Sequence, residues 1–482
     1  MHKDDFPLAL TYDDVLLTPR RSGISSRKDV DTTSNLTRTL RLPVPVVAAN
    51  MDTVCEHRLA RSMAREGGIG VIHRFMSIEN EANEVRKVKR PEVSSGAKLH
   101  TILPTRTLAD ATTLMGRHNV QSLLVVGADE QLLGIITNRD LLFVDRLDQP
   151  VTAVMTGGDA LVTAPVGTTL DEARRILHHH RIEKLPLVDA ERRLKGFITS
   201  RDILRFAEHP RAARDAKGRL LVAAAIGAVG DYMERAAALV EAEVDVLVVD
   251  IAHGHSEHAL RATKLVKERF PQVQLISGNV ATPEGTRDLI DVGADAIKVG
   301  VGPGAACSTR LVAGVGVPQL TAVMECARVC REHGVPLVAD GGIRFSGDIV
   351  KALAAGGDTV MIGSLFAGTE ESPGETVNRS GIRYKVFRGM ASTGAAEARR
   401  NLEQSADMLD ELATTIVPEG VEAVVPFSGT VAQLLHQLVG GLRSGMSYLD
   451  ARDVAALRAN ARFVRMTEAG WRESKPHDLV EK

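Results

Sequence analysis

Eight short runs rich in Ala, Val and Ile recur along the chain, and seven of them end in Gly, Asn or Ser. Short apolar runs without polar alternation are typical of parallel strands that are buried on both faces. Charge-bearing segments such as DYMERAAALVEAE lie between them and are typical of amphipathic helices. The runs are PVPVVAAN from Pro43, GGIGVIHR from Gly67, LLVAAAIG from Leu220, DVLVVDIAHG from Asp245, QLISGN from Gln274, AIKVGVGPG from Ala296, PLVADGG from Pro336 and TVMIGS from Thr359.

The spacing of these runs predicts a barrel with an insertion. Most runs begin roughly 22 to 40 residues after the previous one, the length of one strand–helix unit, and eight units favour a (β/α)8 TIM barrel of the α/β class. From Gly67 to Leu220 the interval is 153 residues (220 − 67), which is too long for a barrel loop. We therefore expect the first part of the barrel at 1–94, an inserted domain at 95–210 and the rest of the barrel at 211–482.

The insertion contains an internal repeat. Its first copy is NVQSLLVVGADEQLLGIITNRDLL from Asn119, and its second is RIEKLPLVDAERRLKGFITSRDIL from Arg181, at a constant offset of 62 residues. A period of this size indicates duplicated units that pack together. Both copies end in T-x-R-D, which places a hydroxyl and a carboxylate beside a helix start, where they suit a ribose and a phosphate. Two structural copies without a ligand are the alternative.

Composition excludes several classes of protein. With 44% hydrophobic and 25% charged residues, the 482-residue chain is globular rather than disordered. The 59 Lys+Arg and 61 Asp+Glu give a net charge of −2, so no general attraction to nucleic acid or to an anionic membrane is expected. Aromatic residues make up only 3%, which disfavours a base-stacking surface. No apolar run approaches the roughly 20 residues needed to span a bilayer, so no membrane span is expected.

Cysteine content and the N-terminal sequence indicate the compartment. Four cysteines in a chain of this length do not form a disulfide framework. The sequence MHKDDFPLALTYDD lacks the basic and then apolar pattern of a secretory signal. We therefore expect a cytoplasmic location.

A candidate nucleophile follows the sixth run. Reactive residues of (β/α)8 enzymes lie at the C-terminal ends of the strands and in the loops after them. Here the loop reads GVGPGAACSTR, in which Gly302 and Gly304 allow the backbone to turn tightly. Cys307 in this loop of small residues is predicted to be a nucleophile, and an inert core cysteine is the alternative.

The ends of the seventh and eighth runs suit a phosphate and a ribose. They supply the backbone amides of Gly341, Gly342, Gly363 and Ser364, at the position where barrels commonly bind phosphate. Asp340 is placed to accept hydrogen bonds from a ribose diol, although it could instead cap the following turn. A nucleoside monophosphate fits both features.

Several longer motifs carry a resemblance to a known family. They are LTYDDVLLTP from Leu10, NMDTV from Asn50, GGIGVIHR from Gly67, VVDIAHGHS from Val248, GNVAT from Gly278, GPGAACSTR from Gly302, DGGIRFSGD from Asp340 and RGM at 388–390. By these motifs the chain resembles the IMP dehydrogenase/GMP reductase family over almost all of its length outside the insertion.

The resemblance implies roles for site residues. Cys307 would attack C2 of the purine ring to form a covalent intermediate, while Thr309 and Glu419 would move a proton to or from the substrate. The remaining implied contacts are Gly389, Met390, Ala391 and Gly420 for the substrate, Arg74, Asp250, Ala252, His253 and Asn279 for the nicotinamide cofactor, and the carbonyls of Gly302, Gly304 and Cys307, with Arg310 adjacent, for a monovalent cation such as K+.

The family contains two reactions, and a mobile flap at about 391–417 distinguishes them. The dehydrogenase hydrolyses the shared intermediate with an Arg-Tyr pair on this flap, but no tyrosine lies between Met390 and Pro418 here. Arg383-Tyr384 precedes the RGM motif and lies in the wrong segment. The VPFSG sequence after Glu419 also resembles the reductase's VPFKG.

We therefore expect a GMP reductase that uses NADPH to convert GMP to IMP and ammonia. One alternative is IMP dehydrogenase, oxidising IMP to XMP with NAD and using Arg399, Arg400 or Glu419 as another base. A second alternative is a catalytically silent sensor of purine nucleotides, against which the trio of Cys307, Thr309 and Glu419 argues.

The inserted repeat resembles a tandem pair of cystathionine-β-synthase (CBS) motifs, from about Lys98 to Phe206. In that family the matching residues contact the ribose and phosphate of an adenine or guanine nucleotide, and they are here Thr137, Asp140, Thr199 and Asp202. The resemblance implies a regulatory role for this module. The resemblance to the IMP dehydrogenase/GMP reductase family also implies a homotetramer, and pairing through the inserted modules could join two tetramers into an octamer.

Overall fold

The eight predicted runs form a closed barrel of parallel strands. The computed structural model describes residues 6–90, 100–395 and 417–476, and the barrel strands, numbered β1 to β8 in chain order, neighbour one another in that order, with β8 beside β1. The predicted (β/α)8 fold is therefore confirmed. The strands are Val46–Ala48, Ile69–Ile72, Ala223–Ile226, Val246–Asp250, Gln274–Val280, Ala296–Val299, Leu337–Asp340 and Thr359–Ile362.

The barrel strands are buried on both faces, which explains why their sequences show no polar alternation. In β4, Val246 and Val248 belong to a cluster inside the barrel, whereas Leu247 and Val249 belong to a second cluster that includes residues of the surrounding helices. Successive side chains of a strand point to opposite faces, so one run fills both layers. Burial of each such Val or Leu side chain contributes about 1.5–3 kcal/mol relative to exposure.

Each barrel strand is followed by a helix, α1 to α8. The N-terminus of α5 shows how the sequence starts such a helix: Thr282 accepts a hydrogen bond from the amide of Gly285 at 3.3 Å, and Pro283 occupies the first turn. The helices are His57–Arg65, Ile78–Lys89, Tyr232–Glu241, Glu257–Arg269, Pro283–Asp291, Gln319–Glu332, Ser346–Ala354 and Val431–Tyr448.

A small antiparallel sheet interrupts the last strand–helix unit, and the sequence analysis did not predict it. Its strands are β9 (Thr376–Arg379), β10 (Ile382–Arg388) and β11 (Glu422–Pro426). Arg388 at the end of β10 pairs with Glu422 at the start of β11, so both ends of the predicted flap are held by one strand pair. Arg399 and Arg400 lie outside the described residues.

Shorter elements complete the barrel unit. Val15–Leu17 pairs with Phe463–Arg465, and Ser34–Asn35 pairs with Arg41–Leu42. The remaining short helices are Tyr12–Asp14, Arg27–Asp29, Thr309–Val312, Ser364–Ala367, Val454–Asn460 and Glu468–Glu473. Within the described ranges, no helix has the length and apolar character that a bilayer span requires.

The chain divides into two compact units, one of residues 1–89 with 211–482 and the other of residues 90–210. The smaller unit has a four-stranded and a three-stranded sheet. The first five elements of its first half recur in the same order in the second half, displaced by about the 62 residues of the sequence repeat. The first half contains Thr101–Ile102, Leu108–His118, Ser122–Val126, Leu132–Thr137, Asn138–Leu141, Val151–Ala153, Thr156–Gly157 and Gly158–Ala160, and the second contains Ala164–Pro165, Leu170–His180, Lys184–Val188, Leu194–Thr199 and Ser200–Glu208.

Candidate active site

A cleft of about 900 Å³ lies at the C-terminal ends of the barrel strands. Loops after strands that are far apart in sequence meet there because parallel strands present all their C-terminal ends to one side of the barrel. The predicted residues that line it are Arg74, Asp250, Ala252, Asn279, Gly302, Gly304, Cys307, Thr309, Asp340, Gly341, Gly342, Gly363, Ser364, Gly389, Met390, Ala391, Glu419 and Gly420. The cleft lining does not include His253 or Arg310.

Cys307 differs from the other cysteines in its exposure. Its thiol is exposed in the cleft, whereas Cys55, Cys326 and Cys330 are buried. Burial raises the pKa of Cys326 to about 11, which keeps that thiol protonated and unreactive at neutral pH. The Sγ of Cys307 lies 3.2 Å from the Oγ1 of Thr309, a distance at which either group can donate a hydrogen bond. Cys307 is thus the accessible thiol with a hydroxyl at its side.

Backbone hydrogen bonds fasten the Cys307 loop to the segment around Glu419. The amide of Ser308 donates to the carbonyl of Glu419 at 2.9 Å, and the amide of Val421 donates to the carbonyl of Ala306 at 3.0 Å. Cys307 and Gly420 form an antiparallel bridge between these contacts. The Cys307 loop and the segment that carries the half-buried Glu419 are therefore joined by main-chain contacts.

The floor of the cleft contains charged side chains that the sequence analysis did not all identify. The Nζ of Lys298 donates to the Oδ1 of Asp250 at 2.6 Å and to the Oδ2 of Asp340 at 3.0 Å. Asn279 donates to the same Asp340 oxygen at 2.9 Å, and Asn50 donates to the Oδ2 of Asp250 at 2.8 Å. Lys298 and Asn50 were not predicted as site residues. Two sequence features could have identified them: Lys298 is a lysine inside an apolar run, and Asn50 is the asparagine that ends another.

The predicted phosphate corner is assembled from the ends of β7 and β8. Gly341 has φ +92° and a Cβ there would lie 2.9 Å from the ring of Pro303, so glycine is required. Its amide donates to the carbonyl of Met361 at 3.3 Å, which differs from the expectation that this amide faces a ligand. Gly342, Gly363 and Ser364 line the cleft and remain the candidate phosphate contacts.

The first described residues of the flap, and the strand end before them, are held by contacts with other segments. The Nε of Arg388 donates to the Oδ2 of Asp52 at 2.7 Å, and a second nitrogen of the same guanidinium also contacts that oxygen. The amide of Gly394 donates to Glu422 at 2.6 Å. These contacts fix the beginning of the flap, while residues 396–416 lie outside the described part of the chain.

The predicted cation loop has carbonyl groups of the kind that bind monovalent cations. Gly302 has φ +87°, and the side chain of Arg310 packs against it: a Cβ on Gly302 would lie 2.5 Å from its Cγ. The Arg310 guanidinium donates to the carbonyls of Val301 at 3.2 Å and Val317 at 2.5 Å. A guanidinium has no lone pair for a metal, so Arg310 braces the loop, and the carbonyls of Gly302, Gly304 and Cys307 remain the candidate cation ligands.

In the smaller unit, each predicted Thr–Asp pair forms a helix N-cap. The Oδ2 of Asp140 accepts from the amide and hydroxyl of Thr137 at 2.7 and 2.8 Å. The Oδ2 of Asp202 accepts from the same groups of Thr199 at 2.8 and 2.6 Å. The structural alternative to nucleotide binding therefore has a definite basis in these contacts.

Residues 9–477 match the IMP dehydrogenase / GMP reductase domain. The chain belongs to the IMP dehydrogenase/GMP reductase family. This match confirms the family inferred from the motifs. Members are oxidoreductases of purine metabolism that use nicotinamide cofactors, so the chain is an enzyme of that class.

Individual relatives carry the names of both enzymes. The inosine-5'-monophosphate dehydrogenase of Bacillus subtilis is 52% identical, over 98% of this chain and 96% of the relative. A structure of GMP reductase from Trypanosoma brucei in complex with guanosine 5'-monophosphate has a TM-score of 0.86 and 45% identity, over 99% of both chains. Another, in complex with guanosine 5'-triphosphate, has a TM-score of 0.74 and 41% identity, over 96% of this chain and 99% of that one.

Proposed function

We propose that the protein is a GMP reductase, which uses NADPH to convert GMP to IMP and ammonia. The observation that carries the proposal is the sequence of the flap. Residues 391–417 contain no tyrosine, so the Arg-Tyr pair that activates water in the dehydrogenase is missing. The groups needed for the shared covalent step are all at the cleft, since Cys307, Thr309 and Glu419 line it together. A side-by-side assay of GMP with NADPH and IMP with NAD tests the proposal.

The first half of the reaction replaces an amine with sulfur. Cys307 gives up its proton and its Sγ bonds to C2 of the guanine ring, while the exocyclic amine takes up a proton and leaves C2 as ammonia. Thr309, 3.2 Å from the sulfur, is placed to pass protons between the reacting atoms and Glu419. Protonation of the departing amine is general acid catalysis, typically worth about 100-fold to 10,000-fold in rate.

The second half restores the free thiol. A nicotinamide cofactor, when bound, would supply the hydride that reduces C2. The C2–S bond would then break with its electron pair on sulfur, and Cys307 would recover a proton. Asp340, Gly342, Gly363 and Ser364 hold the ribose and phosphate, whereas Arg74, Asp250, Ala252 and Asn279 lie on the cofactor side. The sum is GMP, NADPH and two protons giving IMP, NADP+ and ammonium.

IMP dehydrogenase is the second candidate. It is favoured by the 52% identity to the Bacillus subtilis dehydrogenase. In that reaction the intermediate is hydrolysed, and a base other than a flap tyrosine would have to activate the water. Of the candidate bases Arg399, Arg400 and Glu419, Glu419 lies among the described residues, and it lines the cleft together with Cys307.

The remaining proposals concern regulation and assembly. An adenine or guanine nucleotide binds the smaller unit, a CBS pair, through Thr137, Asp140, Thr199 and Asp202, and the GTP-bound Trypanosoma brucei reductase supports a guanine nucleotide. A monovalent cation binds the carbonyls of the Cys307 loop. The enzyme assembles as a cytoplasmic homotetramer that the smaller units can pair into an octamer.

A further inference from the structure

Lys298 lies at the centre of a charged network under the cleft. It occupies the third position of β6, where Ala296, Ile297 and Val299 are buried apolar residues, and it is itself only 1% exposed. Its ammonium contacts Asp250, Asp340 and the side-chain carbonyl of Asn279. A buried ammonium without partners is strongly unfavourable, so this lysine depends on the carboxylates as much as they depend on it.

The charges on the three groups support one another. Burial alone would lower the pKa of Lys298, but the Asp250 and Asp340 carboxylates raise it, so the ammonium is retained. Burial alone would raise the pKa of Asp250, but the Lys298 ammonium, the Asn50 amide and the more distant charge of Arg74 lower it. The buried Lys298 ammonium thus lies within hydrogen-bond distance of two carboxylates and offsets their negative charge.

The two carboxylates belong to different walls of the cleft. Asp250 ends β4, next to the predicted cofactor residue Ala252, and Asp340 ends β7, next to the predicted phosphate loop. Two strands, β5 and β6, separate β4 from β7 in the barrel. Lys298 on β6 and Asn279 on β5 span this separation, and both reach Asp340.

We infer that Lys298 is a positioning residue that fixes the nucleotide-side carboxylate Asp340 relative to the cofactor-side carboxylate Asp250. Through these two contacts it sets the distance between the purine C2 and the nicotinamide across which the hydride passes. The inference rests on the proposed function for the assignment of the two walls. It adds to that function a coupling between the nucleotide and cofactor sites.

The test compares Lys298→Met with a matched control, Lys89→Met. Lys89 is also buried between two carboxylates, with its Nζ 2.8 Å from Asp215 and 2.9 Å from Asp245, but it ends α2 and does not line the cleft. For each variant, thermal unfolding, the KM of nucleotide and of cofactor, kcat and the dissociation constant of GMP are measured from mildly acidic to mildly alkaline pH.

Lys298→Met is expected to lower kcat/KM by about 100-fold or more at alkaline pH, because one partner of a buried ion pair is lost. The KM of the nucleotide and the KM of the cofactor should both rise. Activity should recover in part as the pH falls, because one of the two facing carboxylates then takes up a proton. Lys89→Met should lose stability but keep the pH profile and both KM values of the wild type. A pH-independent loss in Lys298→Met, or a change in the KM of one ligand alone, overturns the inference.

A second variant and a second substrate pair complete the test. If Lys298→Met does not fold, Lys298→Gln, which keeps one hydrogen-bond donor without the charge, is expected to show the same pH dependence. Both substrate pairs are assayed with each protein. If the wild type turns over IMP with NAD faster than GMP with NADPH, the proposed reaction is wrong, while the Lys298 comparison is made on the faster pair, because both reactions use the same floor.

Discussion

Ser308 donates its backbone amide to the carbonyl of Glu419 at 2.9 Å, which joins the loop of the nucleophile to the segment after the flap. Cys307 and Thr309 are the neighbours of Ser308 in the chain, so this main-chain contact brings the Glu419 segment, from a distant part of the sequence, beside the Cys307 loop. The proposed reaction needs a thiol, a hydroxyl and a carboxylate, and Cys307, Thr309 and Glu419 all line the cleft.

The proton-transfer pair can be tested by Glu419→Gln and Thr309→Ala. The first change preserves size but removes proton exchange, and the second removes the hydroxyl beside the sulfur. We expect kcat to fall by about 100-fold or more in each, because general acid catalysis of ammonia release is lost, while the dissociation constant of GMP changes little. Rapid-quench measurement of ammonia release gives the effect on rate, and equilibrium binding of GMP gives the effect on affinity. Lower thermal stability with unchanged deamination would show that Glu419 only caps its turn.

The nucleophile can be tested by Cys307→Ser, with Cys326→Ala as a control. A serine hydroxyl ionises far less readily than a thiol, so Cys307→Ser should abolish turnover while nucleotide binding persists. Cys326 is buried in α6 and should tolerate Ala with a loss of stability but with normal kcat. Mass spectrometry of the quenched reaction should detect a nucleotide adduct in the wild type and in Cys326→Ala only. Substantial turnover by Cys307→Ser would assign the thiol a structural role.

The smaller unit is expected to bind a nucleotide and to alter activity. Titration with ATP and GTP should change an affinity by about 5-fold to 150-fold, the usual range of allosteric coupling. Asp140→Asn and Asp202→Asn should weaken that response, because the carboxylates are proposed to contact the ribose or phosphate. If neither ATP nor GTP binds or modulates the enzyme, the four residues serve as the helix caps that the structure shows.

Deletion of about Lys98 to Phe206 should leave a folded and active barrel. The chain on either side of the deletion is held by the barrel unit: Lys89 contacts Asp215 at 2.8 Å, and the amide of Ala213 donates to the carbonyl of Ala64 at 2.7 Å. Circular dichroism and a cooperative thermal transition check folding, and kcat without added nucleotide checks the site. A barrel that unfolds without the module would contradict this prediction.

The barrel could be predicted from sequence because its strands are buried on both faces and its units have a regular length. β9, β10 and β11 were missed for the opposite reason: their residues are mostly half-exposed or exposed, as in Thr376–Arg379, so the apolar pattern is absent. The pairing of β10 with β11 also joins segments that are distant in the chain, such as Arg388 and Glu422.

At the site, residues in the loops after the strands could be predicted because the barrel fold places those loops together. Lys298 could not, since it lies within a strand whose other positions are apolar, and its partners Asp250 and Asp340 belong to strands 48 and 42 residues away. The hydrogen bond from the Gly341 amide to the Met361 carbonyl also depends on tertiary structure, because Gly341 follows β7 and Met361 lies in β8.

The most direct test of the proposed reaction is one preparation of the enzyme assayed with both substrate pairs, with Cys307→Ser as the blank. With GMP and NADPH, the account predicts oxidation of NADPH that depends on GMP, with one ammonia and one IMP formed per NADPH consumed. With IMP and NAD, it predicts little or no XMP, because the flap carries no tyrosine. Formation of XMP from IMP and NAD at a higher rate than IMP from GMP and NADPH would contradict the account and identify a dehydrogenase.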